Sequence, residues 1–189
     1  MLSIKNKKDS IDVMKKLNLN YFPLQVFDKN DSDGIKLFLE KYPSGEYVVR
    51  NADKAKGDFF FAKTMDDIVK LKDKFDQNIT VAVSYNPYKK DLVLVGDIKV
   101  EKRDDDVIIE LTARNDKEAT HRNIYEKPKF NYICSLQDDR LWDIKGFDII
   151  VKYIVEHNLI GMIVEFAVYN KKIGINSENV VISEIRTNY

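Results

Sequence analysis

The sequence predicts an α+β protein built on antiparallel sheets. Short runs of β-branched and aromatic residues separated by turn formers fill the second half, ending in IVEFAVY and VVISEI. Apolar residues recur at helical spacing in Ile11, Met14 and Leu17, in Ile35, Phe38 and Leu39, and in Phe147, Ile150, Val151 and Ile154. The resulting order is α–β–α–β–β–α–βββ–loop–α–ββ, with no internal repeat and no low-complexity segment.

In chain order, Asp9 to Leu19 reads as a helix capped by Asp9 or Ser10. Tyr21 to Phe27 is extended, and Pro23 suits its start or an edge. Asp31-Ser-Asp-Gly34 introduces a second helix running to Tyr42. Tyr47 to Arg50 is a buried strand, Asn51 to Gly57 a polar loop, and Phe59 to Ala62 a further strand. Thr64 and Asp67 make a capping box that opens the helix Met65 to Phe75. Ile79 to Tyr85, Leu92 to Glu101 (broken at Gly96 and Asp97) and Val107 to Ala113 read as a three-stranded meander. Asp104 to Asp106 is its hairpin tip, since consecutive strand residues alternate sides and do not converge on one metal. Arg114 to Phe130 is polar and bunches Arg114, His121, Arg122 and Asn123. That density of donors fits phosphate contact and equally a solvated loop. Asp143 to His157 is an amphipathic helix feeding the last two strands.

Those strands form a hairpin around Gly174, Asn176, Ser177 and Asn179. Alternation puts Glu165 on a face with Ile163 and Ala167, and Glu184 on a face with Val180 and Ile182. Antiparallel pairing brings the two glutamates side by side. Carboxylates that close repel unless a cation or a proton lies between them, as in a Mg²⁺ site. The alternative is a pair of solvent-facing residues on a half-exposed sheet.

The 189 residues suit one domain, or two small lobes sharing a cleft. Hydrophobic content of 44% with 33% charged residues is that of a soluble globular protein. Lys plus Arg matches Asp plus Glu at 31 each, so no global field favours nucleic acid or an anionic membrane. No apolar run approaches bilayer length, and Met1 to Lys5 lacks the core of a signal peptide. Cys134 is the single cysteine and there are two histidines, which excludes a disulfide framework and Cys- or His-based metal clusters. A reducing, cytoplasmic setting is expected.

The order of the pieces resembles the ATP-grasp fold, in which a nucleotide lies between two α+β lobes. Leu17-Asn-Leu-Asn-Tyr-Phe-Pro23 is similar to its opening turn. Tyr47-Val-Val-Arg50 followed by Lys54-Ala-Lys-Gly57 resembles its first strand and small-residue loop, and Thr64-Met-Asp-Asp-Ile68 its next helix. Ile79 to Tyr85 corresponds to the strand crossing the hinge. Gly161-Met-Ile-Val-Glu165-Phe and Val181-Ile-Ser-Glu184-Ile-Arg186 resemble its closing hairpin. The resemblance spans residues 12 to 188. It implies a single domain over 1–189, with two small antiparallel lobes at about 12–80 and 81–189 and a cleft between them.

It further implies ATP and Mg²⁺ as cofactors. Arg50 would face the phosphates, the loop of Lys54, Lys56 and Gly57 would cover them, and Val83 and Tyr85 would meet the base. Glu165, Glu184 and Asn188 would hold the metal, while Arg114, Arg122 and Arg186 would act on the γ-phosphate and second substrate. Arg186 stands where the family carries an asparagine, and arginine does not ligate Mg²⁺. The resemblance leaves two functions open. One is an ATP-dependent carboxylate–amine ligase working through an acyl phosphate; the other is a degenerate binding or regulatory protein without turnover. Expected partners are the nucleotide, a small-molecule or peptide acceptor, and a protein supplying the domain that usually precedes this fold. Neither a membrane nor nucleic acid is among them.

Overall fold

The computed structural model describes residue 4 and residues 7–52, 59–115 and 128–187. Among these residues the strands collect into two sheets, antiparallel throughout. The first sheet contains β1 (Leu24–Asp28), β2 (Tyr47–Asn51), β3 (Phe59–Ala62) and β4 (Asn78–Val83) in the order β1-β4-β2-β3. Two helices, α2 (Ser32–Lys41) and α3 (Met65–Leu71), accompany it. Phe27, Ile35, Phe38, Val49, Ile68, Ile79 and Val81 form its core. The expected capping box is present, with Thr64 Oγ1 accepting from the Asp67 N–H and the Asp67 carboxylate accepting from the Thr64 N–H.

The second sheet contains β5 (Leu92–Arg103), β6 (Asp106–Arg114), β7 (Phe130–Ser135), β8 (Ile163–Ile173) and β9 (Glu178–Arg186). Its order is β7-β6-β5-β8-β9. One face packs on α1 (Lys7–Lys16), α4 (Asp139–Trp142) and α5 (Phe147–Glu156). Met14, Phe147, Ile150 and Ile154 bury there against Ile98, Leu111, Phe166 and Ile182. The opposite face carries a smaller apolar patch of Val95, Ala167, Tyr169, Ile173 and Val181, flanked by Phe22 and Tyr88. No helix among the described residues is long and apolar enough to cross a membrane.

Several expectations are corrected. The meander does not exist, because β4 joins the first sheet while β5 and β6 join the second. Gly96 and Asp97 do not interrupt β5: Ala113 and Phe166 pair on either side of Gly96. An added Cβ at Gly96 would come within 2.2 Å of the Thr112 carbonyl, so the glycine permits close strand approach. Strand β7 was expected as loop, although Phe130, Tyr132 and Cys134 alternate toward the core. The helix expected from Asp143 begins at Phe147, after Gly146 turns the chain at φ +88°. Helix α1 begins two residues earlier than expected. Ser10 is not its cap, because its Oγ accepts from the Ile185 N–H at 2.8 Å. The buried residues of α1 all pack with the second sheet.

Helix α1 and the segment after it cover the free edge of β9. Besides Ser10, the Asn20 carbonyl accepts from the Ile182 N–H at 2.8 Å. The Asn20 amide donates to the Ile173 and Val180 carbonyls, and its Oδ1 accepts from Asn176 N–H. An exposed strand edge is thereby closed by the chain itself.

Candidate functional site

The face of the second sheet away from its helices can be written as three rows, because directly paired residues share a face. Arg114, Val95, Ala167 and Val181 form one; Thr112, Asp97, Glu165 and Glu184 the next; Glu110, Lys99, Ile163 and Arg186 the third. Three carboxylates from neighbouring strands therefore stand in line. Asp97 is the deepest, at 3% exposure.

The alignment depends on a β-bulge. Phe166 pairs with Ile182 and Glu165 with Glu184, so Ser183 is an extra residue on β9. Strict alternation, as expected from sequence, would set Glu184 on the face of Val180 and Ile182, which pack toward the helices. The bulge reverses the phase: Ile185 takes the buried position and Glu184 turns to the side of Glu165.

Cations from elsewhere in the chain meet the row. Lys7, in the first turn of α1 and only 7% exposed, donates from Nζ to the Ser183 carbonyl and to Glu184 Oε2 at 3.1 Å. Burial pulls its pKa down from the usual lysine value. Glu184 and Glu165 push it back up, and the Arg50 guanidinium lowers it. Arg186 donates from Nη2 to Asp97 Oδ1 at 2.9 Å, and its Nε lies 3.9 Å from Glu184 Oε1. The Arg186–Glu184 contact is thus the longer of the two. Asp97 wins because Arg186 shares the face of the row and lies two strands from β5, within reach of a long side chain.

The structure brings Glu165, Glu184 and Arg186 together and sets Arg114 on the same face, one row from the glutamates and two from Arg186. Arg50, on β2, lies close enough to Lys7 to act on it electrostatically. Val83 packs at the margin of the first core, and its N–H donates to the Pro23 carbonyl at 2.8 Å, so that donor is already engaged. Tyr85 lies near Tyr169 of the apolar patch, whose phenol pKa is raised chiefly by burial and further by Tyr85 and Tyr88. Lys54, Lys56, Gly57, Arg122 and Asn188 fall outside the described residues. Sequence reasoning missed Lys7 and Asp97. Asp97 gave a signal, as a lone carboxylate inside the apolar run VLVGDIKV, which demands a buried partner. Lys7 gave none, since its basic neighbourhood reads as a solvated terminus.

The described residues do not fit magnesium. A Mg²⁺ ion needs oxygen ligands at about 2.1 Å in an octahedron. Lys7 holds one oxygen of Glu184, and Arg186 lies along the other and holds Asp97. No group of three or more His, Cys, Asp or Glu among the described residues is arranged to hold a metal.

No family model and no curated protein matches the chain. Solved structures do. D-alanyl-alanine synthetase A from Vibrio cholerae is similar over 96% of this chain and 55% of its own, at TM-score 0.53 and 11% identity. N5-carboxyaminoimidazole synthase from Aspergillus clavatus, in complex with ADP and 5-aminoimidazole ribonucleotide, is similar over 99% of this chain and 45% of its own, at TM-score 0.55 and 13% identity. D-alanine-D-alanine ligase from Helicobacter pylori is similar over 96% and 50%, at TM-score 0.54 and 11% identity. The chain has the ATP-grasp fold, in the α+β form with two antiparallel sheets. It spans about half the length of these structures.

Proposed function

We propose that the chain is an ATP-grasp nucleotide-binding protein that turns ATP over only feebly by itself. One observation carries the reading. Lys7 from α1 and Arg186 from β9 engage a single row of the second sheet, and Arg50 from the first sheet acts electrostatically on Lys7. Fixed cations from separate elements are what a polyphosphate requires. Mg²⁺, which the resemblance implied, is not carried into this proposal, since Lys7 engages Glu184 and Arg186 engages the neighbouring Asp97.

A second reading is an ATP-dependent carboxylate–amine ligase acting through an acyl phosphate. It draws on the similar structures, whose names are those of ligases and synthetases. On that reading Arg114 and Arg122 serve the reacting phosphate, and a further domain or partner protein supplies the acceptor. Both readings assume a cytoplasmic protein.

ATP at about 100 times its Kd should stabilise the fold by about 2.7 kcal/mol through mass action, read as a rise in melting temperature. Arg50→Ala should weaken that response and leave the empty protein's melting temperature nearly unchanged. A folded sample that ignores millimolar ATP, with or without Mg²⁺, would refute the proposal. A robust ATPase or ligase rate from the chain alone, assayed with amino-acid and dipeptide pools, would establish the second reading in its place.

A further inference from the structure

We infer that the Lys7 ammonium is a built-in replacement for a divalent cation, so this face takes its anionic ligand as the free polyphosphate and not as a metal complex. The inference depends on the nucleotide-binding reading only for the identity of the anion. Its claim about metal stands on the protein's own residues.

Three observations converge. The bulge at Ser183 sets Glu184 directly opposite Glu165 on one face, an arrangement that stores repulsion unless a cation neutralises it. Lys7 supplies that cation from 177 residues away in sequence, and it is buried to 7% exposure. It takes the bulged residue's carbonyl and the Glu184 carboxylate together, so the irregularity that turns the carboxylate also seats the ammonium. Arg186 adds a second cation from the far side by engaging Asp97, with Glu184 within 4 Å. A lysine buried to this degree without a carboxylate partner would be costly, and a dication beside it would suffer direct repulsion. Ammonium and divalent metal therefore exclude each other at Glu184. Lys7 and Arg186 engage two of the row's three carboxylates, and Arg50 stands as a further cation toward an anion.

The test is Mn²⁺ binding, followed by electron paramagnetic resonance of the free ion and by paramagnetic broadening of NMR signals near Glu165 and Glu184. The wild-type protein should bind no Mn²⁺ at this row up to millimolar concentration. Lys7→Met, which keeps the length and removes the charge, should gain a Mn²⁺ site at least tenfold tighter. Lys7→Arg, which keeps the charge, should not. Should Lys7→Met fail to fold, titration of wild-type protein with tripolyphosphate decides the matter: its apparent Kd should weaken at least tenfold from EDTA to excess Mg²⁺, which complexes the free anion, and an equal or tighter Kd in Mg²⁺ would overturn the inference. Micromolar Mn²⁺ binding by the wild type that broadens the Glu165 and Glu184 neighbourhood would overturn the inference. So would a tenfold or greater requirement for Mg²⁺ in tripolyphosphate binding. Failure of ATP to bind would refute the nucleotide reading alone, leaving the Mn²⁺ result to judge the ammonium.

Discussion

Single side chains set the electrostatics of this protein, and they do so differently at the surface and in the interior. Asp138 shows the surface case. It caps α4 by accepting from the Arg140 N–H, and the Arg140 guanidinium grips both carboxylate oxygens, at 2.9 and 2.6 Å. Those hydrogen bonds hold its pKa at about 2, below the ordinary 3.8. A depressed carboxylate contributes stability that is fully present above its unfolded pKa and lost as pH falls through its folded one. The contribution of Asp138 should therefore fade between about pH 4 and pH 2. A carbon-detected NMR titration should give a midpoint near 2, and Arg140→Ala should move it toward 3.8; an unchanged midpoint in the variant would disprove the pairing. Lys7 shows the interior case. Its partners lie inside the protein, where unpaired charge is far more expensive, so what it holds decides which ions the site can accept.

Among the elements, the closing hairpin matters most, and its decisive feature is one inserted residue. Were Ser183 paired in turn, the alternation of β9 would run unbroken from Val180 and Glu184 would fall among the residues facing α1 and α5. Deleting Ser183 removes the extra residue, so Glu184 follows Ile182 directly and should keep the face of Glu165, with Ile185 still buried. The Ser183 carbonyl that Lys7 engages is lost, so chemical denaturation should show a cost of about 1–2 kcal/mol. A loss of about 3–5 kcal/mol, the cost of an uncompensated buried charge, would mean that the deletion reverses the phase of Glu184 and would refute the bulge. Cover of the β9 edge by α1 also belongs at this scale. Ser10 and Asn20 accept the outward N–H groups of Ile185 and Ile182, leaving that part of the edge no donors with which to recruit another strand.

For the whole molecule, the beginning of the chain is tied to its end through Asn20. Its amide spans the Ile173 and Val180 carbonyls, its N–H donates to the Tyr153 hydroxyl at 2.8 Å, and its Oδ1 receives Asn176. Gly174 sits against it at φ +81°, where a Cβ would come within 2.4 Å of Oδ1. Asn20→Ala leaves two carbonyls and one N–H without their side-chain partner and should cost about 3 kcal/mol, measured by denaturant melting. A loss under about 0.5 kcal/mol would show that water replaces the tie.

Local chemistry was enough for much of this architecture. The antiparallel α+β class, the capping box at Thr64 and the turn after Ile173 all follow from propensity, spacing and turn formers, which act over a few residues. Only the tertiary structure decided the phase of Glu184, because a bulge is selected by packing on both faces of a finished sheet and not by the five letters around it. It alone brought Asp97 into the row and Lys7 onto Glu184, since pairing of charges distant in sequence depends on where the folded backbone delivers them. The sequence thus determined that each strand of the last hairpin carries one carboxylate. Their meeting on one face, and the ammonium that engages Glu184, were settled by a bulge and by a helix from the other end of the chain.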